Sequence, residues 1–197
     1  MDSIAKHELS TSLEELVTKT SFDDVSVKLI VSNTSFNRQT FYYHFQDKFD
    51  CLQYTLSEFA DKIASDMDYS NWQECYLRIF RYIDYHKEFM QHIVDSQAYS
   101  LFTDFVLQSI DLMLHGVLKS LQKDVSRNRM QEQPWKLFEY GLQGIIINWF
   151  TDGLRENPEL LVNDFLNIDM PHLKMLLGVD TDRIDQTGHF VHSTSTI

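Results

Sequence analysis

An all-α fold is what this 197-residue sequence predicts. Apolar residues recur at spacings of three and four along nearly the whole chain, and no clean period-two run occurs. Only three prolines and six glycines break the pattern, and the 43% apolar content is enough to build a core. We expect a three-helix head over residues 1–48, a helical bundle over 49–178 and a loose tail over 179–197.

The first helix carries Leu9, Leu13, Leu16 and Val17 on one face and should end near Thr20. A short helix through Val27, Ile30 and Val31 follows, then a polar turn Asn33-Thr34-Ser35 and a second short helix from near Asn37. A long helix through Phe49, Leu52, Leu56, Phe59, Ile63 and Met67 has a narrow apolar stripe and bridges the head to the rest. Further helices are expected over Trp72 to Ile83, His86 to Val94 and Tyr99 to Leu121, the last with an apolar face broad enough for deep burial. A polar loop over 126–133 leads to Pro134, a residue suited to a first helical turn. The helix from Trp135 to about Gly153 is apolar nearly all round, so it must be covered on several sides. Asn157-Pro158 reads as cap and first position of a helix through Leu160, Leu161, Phe165 and Leu166, and beyond Gly178 the low apolar content predicts fraying.

Two cysteines, Cys51 and Cys75, with no CxxC pairing argue against a disulfide scaffold and against a zinc-finger module. No basic leader opens the chain, and no window reaches the roughly eighteen uninterrupted apolar residues of a membrane span. A cytoplasmic protein without a membrane partner is expected. The sequence shows no Gly-rich phosphate loop, nucleophile elbow or paired-His metal helix, so neither an enzyme nor a cofactor is expected.

A net charge of −12 speaks against a nucleic-acid partner until its distribution is considered. Between Val25 and Phe49 the chain carries Lys28, Arg38 and Lys48 against Asp47 alone, which leaves one short positive face on an acidic body. Residues 22–49, FDDVSVKLIVSNTSFNRQTFYYHFQDKF, read as two short helices around a polar turn with apolar inner faces, the layout of a helix-turn-helix. Ser26 can cap the first of these helices. Arg38 and Gln39 start the second, where Arg can pair with guanine and Gln with adenine. Thr40, Tyr42, Tyr43 and His44 suit the phosphate backbone, while Phe41 and Phe45, four apart, face inward. Lys48 opens the long helix, so that its ammonium and the helix amino end can meet one phosphate.

The string TFYYHFQDKFDCL resembles the signature of the TetR family, in which a Thr, an aromatic, a Tyr, an aromatic and a His precede a Lys at the next helix. The stretch FEYGLQGIIINWFTDGLRENPELL is similar to the carboxy-terminal region of the TetR subgroup that includes dihydroxyacetone-kinase regulators. The resemblance implies a DNA-binding head, a ligand-sensing helical body and dimerisation through the last two long helices. Mapped onto this chain, Ser26, Thr40, Tyr42, Tyr43, His44 and Lys48 match phosphate-gripping positions, and Lys28, Arg38 and Gln39 match base-reading ones. One departure stands out: Ser35 fills the turn position where the family usually has Gly, after Thr34 in place of a small apolar residue. A left-handed backbone at Ser35 would cost on the order of 1 kcal/mol relative to Gly.

Tyr99, Phe102, Met113, His115, Asn148 and Trp149 are candidates to line an effector cavity, although residues of these types are more often plain core. Gly141, Ile145, Trp149, Leu161 and Phe165 are candidates for the interface of a homodimer. His86 and His92, with Cys75 nearby, raise the question of zinc, but a spacing of six puts the two histidines off a shared helix face, and His189 and His192 lie in the tail. No metal site is therefore expected. The reading is a homodimeric regulator, expected to repress, that grips a near-palindromic double-stranded DNA operator under an unknown small-molecule effector. Its rivals are a co-regulator that docks a partner protein instead of DNA, and a zinc-responsive regulator.

Overall fold

The computed structural model describes residues 2–65, 67–121, 132–163, 168 and 173. Phe165, Leu166, most of the polar loop before Pro134 and the tail with His189 and His192 lie outside the described residues. Among those described, the regular structure is helical throughout.

The head is built on α1 (Asp2–Val17), whose Leu9, Leu13 and Val17 are fully buried, as their spacing predicts. A 3₁₀ turn, Phe22–Asp24, leads into α2 (Val27–Ser32) and α3 (Arg38–His44). Both short helices have side-chain caps: Ser26 Oγ accepts the Leu29 N–H at 3.3 Å, and Asn37 Oδ1 accepts the Thr40 N–H at 3.0 Å. Phe41 and Phe45 turn inward, together with Phe22, Val25 and Ile30, and form the core of the head.

Next, α4 (Lys48–Ser65) packs its Cys51, Leu52, Leu56, Phe59 and Ile63 stripe both on α1 and on the body. The body continues with α5 (Trp72–Tyr85), α6 (Lys87–Val94), α7 (Tyr99–Leu121), α8 (Glu132–Thr151) and α9 (Pro158–Asn163). At its centre lies α7, against α4, α5, α6 and α8. By length and composition the Tyr99–Ser120 stretch would pass for a membrane span, but half of its most apolar window is buried inside the bundle. Tyr76 of α5 donates its buried hydroxyl to the Leu142 carbonyl of α8 at 2.7 Å and ties those two helices together. As expected, Asn157 caps α9, accepting N–H groups of Glu159 and Leu160.

Gly116 of α7 is required by a close approach. The Tyr69 ring lies directly on it, where a Cβ would overlap three ring carbons, and the Tyr69 hydroxyl donates to the Ala64 carbonyl at 2.9 Å. We expect Gly116→Ala to lower stability by about 1–3 kcal/mol through overpacking. Thermal melting checks this, and an unchanged midpoint would mean that the ring swings aside freely.

Head and body are also linked by polar contacts. His92 Nδ1 lies 2.6 Å from the Val17 carbonyl, and the Gln97 N–H donates to Asp23 Oδ1 at 3.2 Å. His86 stacks on Tyr82 and faces Glu14 at 3.8 Å, and burial, followed by the Lys62 charge, holds its pKa below the usual imidazole range. His86 and His92 thus have other surroundings, and Cys75 Sγ donates to the Asp68 carbonyl. Among the described residues no group of three or more His, Cys, Asp or Glu side chains is placed to hold a metal ion.

Candidate nucleic-acid interface

On α3 the period of the helix separates two faces. Phe41 points into the core, whereas Arg38, Gln39, Tyr42 and Tyr43 are all exposed, Tyr43 at 74%. Thr40 and His44 flank this face, half-buried, with the His44 ring edge-on to Tyr43. A shallow hollow of about 350 Å³, lined by Ala5, Phe36, Asn37, Gln39, Thr40, Tyr43 and His44, runs between α3 and the start of α1. On α2, Lys28 is exposed beside Ser26 and Leu29. Eight of the nine head residues singled out from sequence therefore reach or border the surface around α3 and the start of α2.

Lys48 departs from the expectation of an outward cation. Its Nζ donates to three carbonyls of the 3₁₀ turn, Phe22 at 2.8 Å, Asp23 at 3.0 Å and Val25 at 2.9 Å. An ammonium has three N–H donors, so this set is complete. The ammonium also sits over the Phe22 ring, 4.5 Å from its centroid. Burial lowers the Lys48 pKa, and the charges of Asp23 and Asp24 oppose that shift. Two of the first amides of α4 are also engaged within the chain. Asp47 Oδ1 accepts the N–H groups of Phe49 and Asp50 at 2.8 and 3.0 Å, and the Asp50 carboxylate accepts the Gln46 N–H in return.

The turn also differs from expectation. Gly153 and Leu154, after α8, are the residues with positive φ among those described, so Ser35 avoids the left-handed backbone and its cost does not arise. Instead, side chains hold the turn: Thr34 Oγ1 accepts the Phe36 N–H at 3.2 Å, and the Glu8 carboxylate of α1 accepts the Ser35 N–H at 2.7 Å. Sequence reasoning missed Glu8, because its partner lies 27 residues away. It also missed the Asp47/Asp50 cap, which the Asp-x-x-Asp spacing before an apolar stripe could have signalled.

In the body, the six effector candidates do not converge. Phe102 and Met113 are fully buried in the core, with Phe102 against the Phe150 ring. Tyr99 and His115 are exposed, and the His115 ring lies edge-on to Trp135. Only Asn148 and Trp149 of the six border the open cleft of about 680 Å³ between α8 and α9. That cleft is lined by Gly141, Ile145, Trp149 and Leu161, the described members of the dimer set. One side of α8 stays open in the single chain, where Leu137 and Tyr140 are 77% and 52% exposed.

A three-helix head carrying a helix-turn-helix, set on a bundle of longer helices, is the layout of a helical transcriptional regulator. Residues 70–168, half of the chain, match a TetR carboxy-terminal family described as the transcriptional regulator C-terminal region. The chain belongs to the TetR family of transcriptional regulators, which are not enzymes. It is similar to the HTH-type dhaKLM operon transcriptional activator DhaS of Lactococcus lactis subsp. lactis (strain IL1403), 30% identical over 86 residues, 43% of this chain and 46% of that one. The matched segment thus spans about half the length of that curated relative. The solved structure of a dihydroxyacetone kinase operon activator DhaS shares the fold, with a TM-score of 0.64 over 87% of this chain and 97% of that one at 22% identity.

Proposed function

We propose that this protein controls transcription as a homodimer that binds double-stranded DNA through α3, with residues 1–48 as the reading head and 49–178 as the regulatory and dimerising body. The observation that carries the reading is the shared exposure of Arg38, Gln39, Tyr42 and Tyr43 on the outer face of a capped helix whose inner Phe41 is buried. Arg38 and Gln39 read base edges, with Lys28 beside them. Tyr42, Tyr43, Thr40, His44 and the α2 cap at Ser26 meet phosphates. Lys48 drops out of the phosphate grip, because its donors are engaged within the head. The names of both relatives favour activation over the repression expected from sequence. An effector held in the body acts by changing the separation of the two heads, and the α8/α9 cleft is the place where the second subunit docks.

The test is selection of a duplex from a random pool with the purified full chain, followed by salt titration. A near-palindromic site should emerge, and its affinity should fall steeply as salt rises. On that duplex Arg38→Ala should cost about 1–3 kcal/mol and relax preference at one position per half-site, whereas Tyr43→Ala should weaken all sequences alike. Recovery of no duplex at any salt would reject DNA binding and favour docking of a partner protein.

A further inference from the structure

We propose that Glu8 is a positioning residue for DNA reading, a latch from α1 that fixes the turn between α2 and α3 and so sets the angle at which α3 is presented. This rests on the DNA-binding reading above.

Glu8 Oε1 accepts two hydrogen bonds from one residue of the turn, the Ser35 N–H at 2.7 Å and the Ser35 hydroxyl at 3.1 Å. The next amide, that of Phe36, goes to Thr34 Oγ1, so two successive N–H groups of the turn are held by side-chain oxygens. One helical turn further along α1, the buried Ser12 hydroxyl donates to the Ile30 carbonyl at 2.7 Å. Residues four apart lie on one helix face, so α1 holds α2 near its end and the turn that follows it through two tethers in line. Both helices joined by the turn are short, six and seven residues. Helices of this length have little stability of their own, so their relative angle depends on what grips the turn.

The charge of Glu8 makes the proposal testable by sign. A carboxylate in a head that meets phosphates repels the ligand, so removing the charge alone should tighten binding. Losing the latch should loosen it, because a misaimed reading helix loses its base contacts first. Glu8→Gln discards the charge and keeps an oxygen that can accept the Ser35 N–H. Glu8→Ala discards both.

The experiment measures both variants and the unaltered chain on the duplex selected by the unaltered chain and on a duplex of scrambled sequence, with thermal melting alongside. Glu8→Gln should bind the selected duplex at least as tightly as the unaltered chain. Glu8→Ala should lose on the order of tenfold on the selected duplex, the scale of one charge-assisted hydrogen bond. Its binding to the scrambled duplex should not fall, and its melting midpoint should stay within a few degrees. Tighter binding by both variants would reduce Glu8 to a surface charge and overturn the latch. So would unchanged affinity in Glu8→Ala, or unfolding of that variant, which would make the contact a plain stability element. If the unaltered chain selects no duplex, the DNA-binding reading itself fails and the latch falls with it, an outcome distinct from the others.

Discussion

The double substitution Leu137→Asp/Tyr140→Asp should turn a dimer into a monomer and lower affinity for the selected duplex on the order of a hundredfold, because the second head then binds without the first to hold it near its half-site. The structural basis is the open side of α8. Leu137 and Tyr140 protrude there, and Leu160 of α9 is 66% exposed. Gly141 and Gly144 sit among them, and a Cβ built on either would meet nothing within 4 Å in the single chain. Small residues beside large exposed apolar ones let a second helix approach closely and bury the large ones at its rim. Two like-charged carboxylates on such a face would be desolvated next to their symmetry mates, which opposes docking strongly. The substituted side chains are solvent-exposed in one subunit, so the fold itself should tolerate them. Sedimentation velocity and gel-shift titration are the measurements. A persistent dimer, or a monomer that keeps full operator affinity, would refute dimer docking on this face.

Lys48→Met should lower stability by about 2–3 kcal/mol, since three carbonyls lose a charged donor while the apolar stem is retained. The same variant separates the clamp from the phosphate contact expected from sequence. A residue that touches phosphate contributes about 0.9 to the slope of log affinity against log salt. A residue that braces the 3₁₀ turn contributes nothing to that slope. Chemical denaturation should therefore show the loss, and the salt slope should stay at its original value. A shallower slope with unchanged stability would return Lys48 to the phosphate set.

The helices and the inward and outward faces of the head were legible in the sequence because they obey local rules. The step from Phe41 to Phe45, the polar Asn37 before Arg38, and Asn157 before Pro158 each act within one helical turn. What was not legible depends on contacts between distant residues. Nothing around Lys48 says which way its ammonium turns, and its acceptors lie 23 to 26 residues upstream. The expected strain at Ser35 came from reading the turn alone, without the Glu8 carboxylate that lets it close with ordinary backbone angles. The six effector candidates do not converge for a similar reason: aromatic and Met side chains such as Phe102 and Met113 have the same composition whether they wall a cavity or fill one.

The proposed reading helix, α3, has seven residues, a rod of about 10 Å at 1.5 Å per residue. Laid in a groove it overlooks roughly three base pairs, and a wrong pair there is penalised by only about 1–3 kcal/mol. So short a word recurs throughout any genome. For the proposed homodimer, discrimination would then come from measured distance, two words at one fixed interval, and whatever alters that interval would alter which stretch of chromosome is addressed.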